Sequence, residues 1–84
     1  MDGTTFFAKR INYGQSEIWL GQDGHDPTQR RTLATNEVLN ITRRLCASDV
    51  FQTFHDDYYK AVDQVATLIV PNIEELAAQF RLKL

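Results

Sequence analysis

Eighty-four residues, 43% of them apolar and 24% charged, describe one small globular domain near the lower size limit for folding without disulfides or metal. A net charge of −2 argues against a dedicated DNA-binding protein but leaves room for a local basic patch, and a single cysteine, Cys46, excludes an internal disulfide. The whole chain, 1–84, is therefore read as a single domain, expected in a reducing compartment, the cytoplasm.

The opening Met1-Asp2-Gly3-Thr4-Thr5 lacks the basic start and apolar stretch of a signal peptide. The apolar run Leu68-Ile69-Val70 falls far short of the roughly 20 residues a membrane span needs. Charge is unevenly spread. Residues 1–48 carry six basic and five acidic side chains, residues 49–84 three and six. The basic ones fall in adjacent pairs, Lys9-Arg10, Arg30-Arg31 and Arg43-Arg44.

Thr4 to Ile11 reads as a strand, with Phe7 and Ile11 on one face and Phe6, Ala8 and Arg10 on the other. Asn12-Tyr13-Gly14-Gln15 is a turn signal, with Gly14 free to take positive φ. Ser16 to Gly21 is a second strand, Ile18 and Leu20 alternating with Glu17 and Trp19, so the two runs form a hairpin. Gln22 to Pro27 is a loop.

Residues 31–34 admit two readings, a third strand or the start of a helix capped at Asp26. The strand is preferred, because Arg30, Arg31, Thr32 and Thr35 form no apolar helical stripe and an isolated hairpin is only marginally stable. Thr35 then caps a helix from Asn36, in which Val38, Ile41 and Leu45 share a face. Ser48 caps a longer helix whose stripe runs Phe51, Phe54, Tyr58, Ala61, Val65, Leu68 until Pro71 stops it. Asn72 and Glu75 are the N-cap and N3 pair of a last helix presenting Ile73, Leu76, Ala77 and Phe80. The predicted fold is α+β: a small N-terminal antiparallel sheet of two or three strands, then about three helices packed on one face. Its expected core includes Val38, Ile41, Leu45, Phe54, Ala61, Val65 and Leu76.

No catalytic constellation stands out, and neither a cofactor nor a metal is expected. Asp23, His25 and Asp26 in the loop, and His55, Asp56 and Asp57 on the helix, have the types of metal ligands but not an enforcing spacing. Turn-forming and solvated carboxylates explain them more simply. Cys46 sits on an apolar stripe, where a thiol is a small hydrophobe rather than a nucleophile. Gly21 and Gly24 lack the Lys-Ser/Thr of a phosphate-binding loop. The chain is expected not to be an enzyme.

Two binding readings remain. In the first, a regulatory or inhibitory protein binds a larger protein or complex. The acidic helical face (Asp49, Asp56, Asp57, Asp63) meets a basic surface, and exposed aromatics anchor the contact; the named contact residues are Trp19, Asp56, Tyr59 and Asp63. Apolar surface on the helix around residues 49–70 exceeds one stripe, which makes a two-fold homodimer its natural closure. Small size and absent chemistry suit an inhibitor carried by a mobile element, although no motif carries that origin. In the second reading, Lys9, Arg10, Tyr13, Arg30 and Arg31 on the sheet bind nucleic acid, with Trp19 as a stacking surface. Against it, neighbouring strand residues point to opposite faces, so each basic pair gives one charge per face.

Overall fold

The computed structural model describes residues 4–22 and 29–82. Three strands open the chain: β1 (Thr4–Arg10), β2 (Gln15–Gln22) and β3 (Gln29–Ala34). Helices α1 (Thr35–Leu45) and α2 (Ser48–Tyr58) follow. A fourth strand, β4 (Ala66–Leu68), precedes the last helix, α3 (Ile73–Phe80). The sheet is antiparallel throughout, in the order β3-β2-β1-β4. Residues 31–34 are strand, as preferred.

Register sorts the side chains into two faces. Phe6 pairs with Leu20 and Leu68, and Ala8 with Ile18 and Ala66. These six are buried against Val38 and Ile41 of α1, Phe51, Phe54 and Tyr58 of α2, and Ile73, Leu76, Ala77 and Phe80 of α3. All three helices thus cover one face of the sheet. The Phe6 ring stacks on Phe80 at 5.1 Å and meets Phe54 at 6.2 Å, so one strand residue ties two helices together.

One expectation fails outright. A sheet followed only by helices would have no strand after residue 48, yet β4 closes the sheet on the outer side of β1. The long helix stops at Tyr58, and Ala61 and Val65, expected in the core, are exposed. Beyond Tyr58 the chain turns through Asp63, whose φ of 69° is left-handed and whose amide donates to the Arg10 carbonyl at 2.8 Å. From Val65 to Val70 exposed and buried residues alternate strictly. That is the period of a strand, and β-branched Val65, Thr67, Ile69 and Val70 favour it. Leu45 is only half-buried, while Val38, Ile41, Phe54 and Leu76 lie in the core as expected.

The local stop and start signals divide similarly. Asn72 caps α3 through Oδ1, which accepts the Glu75 amide at 3.2 Å, as the sequence pattern predicts. Thr35 and Ser48 instead begin their helices, after Ala34 and Ala47, neither of which supplies a side-chain cap. The β1–β2 turn does not rely on positive φ at Gly14. Asn12 builds it, its Oδ1 accepting the amides of Gly14 and Gln15 at 3.0 and 2.9 Å. The Gly14 carbonyl accepts the Thr35 amide at 3.0 Å, fixing the hairpin tip to the start of α1.

Candidate interaction surface

The end of β1 meets the end of α2 through Arg10. Its Nε donates to the Tyr58 carbonyl at 3.2 Å and its Nη2 to that of Tyr59 at 3.4 Å. These carbonyls lie at the C-terminal end of α2, where a cation is favourable. The guanidinium also sits 4.4 Å from the Tyr59 ring centroid, and the His55 ring stacks on the Tyr59 ring with centroids 4.8 Å apart. The Arg10 carbonyl in turn holds the Asp63 amide. The structure therefore brings together Arg10, Tyr59 and Asp63, residues the sequence assigned to two different readings. Asp56 stands nearby on α2, exposed, accepting from Gln52 Nε2 at 2.9 Å.

Lys9 and Arg30 lie on the sheet face turned away from the helices, along with Phe7, Glu17 and Trp19. Glu17 Oε1 takes both cations, Arg30 at 2.9 Å and Lys9 at 3.9 Å. Arg30 also lies over the Trp19 ring at 4.3 Å, and Phe7 stacks on that ring at 5.6 Å. Trp19 is only 5% exposed, so the sequence expectation of an exposed anchor does not hold at this position. Alternation places its indole beside Phe7 and under Arg30, leaving little ring surface for a base or a partner.

Arg31 points to the opposite side from Arg30, as strand geometry requires. Its Nη1 donates to the Phe80 carbonyl at 3.1 Å, at the C-terminal end of α3. It lines a polar cleft of about 230 Å³ with Leu33, Glu37, Gln79, Phe80 and Arg81. The Arg30-Arg31 pair is thus split between one ion pair and one helix end, not gathered into a cationic patch. Tyr13, by contrast, is 95% exposed at the tip of the hairpin.

The sequence pattern placed surplus apolar surface within residues 49–70 but on a continuous helix, and it did not include Ile11 or Tyr13. Among the described residues the exposed large apolar side chains are Ile11, Tyr13, Val50, Tyr59, Val62, Val65 and Ile69. All but Val50 belong to the hairpin end of β1 or to the stretch 59–69, and the Arg10–Asp63 bond joins those two segments. The available signal was β-branched residues after Tyr59, hidden because their spacing also suits a helix.

Among the described residues no group of three or more His, Cys, Asp or Glu side chains is placed to hold a metal ion. Asp23, His25 and Asp26 lie outside the described residues. His55 Nδ1 is buried without a hydrogen bond, 3.7 Å from Asp56 Oδ1, and its ring packs between Phe51 and Tyr59. Burial pushes the half-buried Cys46 thiol above its ordinary pKa, which lowers its thiolate fraction at neutral pH. Among the described residues no helix is long and apolar enough to cross a membrane. No family model, curated protein or solved structure matches the chain.

Proposed function

We propose that the chain is a regulatory or inhibitory protein that works by binding a larger protein and performs no reaction of its own. The observation that carries this reading is the apolar rim around the Arg10–Asp63 bond, to which Ile11, Tyr59 and Val62 contribute exposed side chains. Tyr13 follows Ile11 by two residues, exposed on a turn fixed by Asn12. A rigid rim with two tyrosines suits an interface, because aromatic anchors dominate contact energies and a preorganised turn loses little entropy on binding. Acidic Asp56 and Asp63 border the rim and favour a partner whose surface is basic there.

The nucleic-acid reading has weaker support. Its sheet cations share Glu17, and its stacking residue Trp19 is buried. The test is quantitative affinity capture from the host, comparing wild type with Tyr59→Ala plus Val62→Asp and with Lys9→Ala plus Arg30→Ala. Circular dichroism establishes that each variant is folded. The rim variant is expected to lose the captured protein by tenfold or more, equivalent to about 1.4 kcal/mol, and the sheet variant to keep it. Loss in the sheet variant alone, with nucleic acid in the wild-type eluate, would move the working surface to the sheet.

A further inference from the structure

The two edges of the sheet are built differently. The β3 edge carries Arg30 and Arg31, charges of the kind that discourage strand-to-strand association. The β4 edge carries none: Gln64 to Ile73 contains no Asp, Glu, Lys, Arg or His. In the sheet β4 pairs only with β1, and among the described residues no other backbone or side chain hydrogen-bonds to 65–70. Its outer backbone groups therefore face away from the sheet, and what satisfies them best is another strand. Beside them Val65 and Ile69, the latter 74% exposed, lie on the open side with Thr67.

We propose that this edge takes the β4 edge of a second copy of the chain, pairing antiparallel about a two-fold axis at Thr67. In that register Val65 of one copy lies opposite Ile69 of the other, Ala66 opposite Leu68, and Thr67 opposite its own mate. Both exposed apolar residues thus gain an apolar cross-strand neighbour on the same face. Self-pairing brings no like charges together, because the segment has no charge to oppose. The two-fold also closes: each copy spends its one uncharged edge, and the eight-stranded sheet ends on the arginine-bearing β3 edges. Head-to-tail growth would instead need β4 to accept that charged edge. The contact is distinct from a dimer through α2, and it does not depend on the partner rim, whose residues lie outside the paired segment.

Sedimentation and isotope-filtered nuclear Overhauser spectra on the full chain, from about 1 µM to about 1 mM, test the proposal. Wild type is expected to dimerise with rising concentration and to show intermolecular contacts confined to 65–69. Val65→Lys with Ile69→Lys sets like charges opposite each other and is expected to weaken the dimer at least tenfold. Val65→Lys with Ile69→Glu sets opposite charges across the same pairs and is expected to restore much of it. Val50→Lys, on the exposed side of α2, is expected to leave dimerisation unchanged, and thermal melting establishes that every variant is folded. A wild type monomeric throughout, a dimer that survives the double lysine change, or one dissociated by Val50→Lys would overturn the pairing. Equal loss in both charge variants would overturn the register. Since partner capture is scored with rim variants, none of these results decides that reading.

Discussion

Ser16 of β2 ties together the start of α1 and the end of α2. Its hydroxyl lies 2.7 Å from Thr35 Oγ1 and is hydrogen-bonded to the Tyr58 hydroxyl, with all three residues buried. Removing the middle member should cost more than removing an end. Ser16→Ala leaves the other two hydroxyls short of a partner and is expected to cost about 1–3 kcal/mol, whereas Tyr58→Phe leaves Ser16 and Thr35 bonded and should cost about 0.5–1.5 kcal/mol. Urea unfolding compares them. Burial chiefly raises the Tyr58 pKa. The stability attached to its neutral phenol is then complete below the unfolded value, about pH 10, and is lost as pH rises through the higher folded value. The unfolding midpoint of wild type should therefore fall as pH rises above about 10, and less so in Tyr58→Phe. Phe54, 1% exposed and packed on Phe6 and Tyr58, should cost about 3–5 kcal/mol on truncation to Ala, enough to unfold much of a domain this small. A variant that melts like wild type would contradict that packing.

At the scale of elements, β1, β2 and α3 were legible in the sequence because a single period and clear punctuation agreed in each. Alternation placed Phe6 and Ala8 opposite Phe7, and Asn72 with Glu75 fixed the start of α3. The stretch from Ala61 to Val70 was not legible, since two periods fit it. Ala61, Val65 and Leu68 continue the helical stripe of Phe54 and Tyr58, while Val65, Thr67 and Ile69 alternate with Ala66, Leu68 and Val70. What decides is tertiary: the Arg10 carbonyl and the free side of β1 are available to Asp63 and β4. No window of sequence shows that. The left-handed backbone at Asp63 gives a direct check. Asp tolerates that region, but a β-branched residue does not, so Asp63→Val should cost about 1–2 kcal/mol if the turn exists. In a continuous helix the same exposed change would cost only a few tenths of a kcal/mol. Asn72→Ala should remove about 1 kcal/mol with the cap of α3. Thermal melts read both.

Over the whole molecule, charge and apolar surface are separated more than the sequence suggests. Of the candidate site residues, the basic ones are largely engaged within the fold: Arg10 at the end of α2, Arg31 at the end of α3, and Lys9 and Arg30 on Glu17. Adjacent basic pairs looked like a surface, but strand alternation and helix ends dispersed them. Tyr59, Asp56 and Asp63 are exposed where the sequence reading placed contacts, whereas Trp19 is not. Its burial follows from cross-strand neighbours, Phe7 and Arg30, that only the register reveals. On the proposed reading, the rim at the junction of β1 and α2 binds a protein. Hydrogen–deuterium exchange of the chain, free and saturated with its captured partner, addresses it directly. Uptake is expected to fall on binding at residues 10–14 and 59–63 and to remain unchanged at 30–33. Protection confined to 30–33, with the rim exchanging as in the free protein, would contradict it.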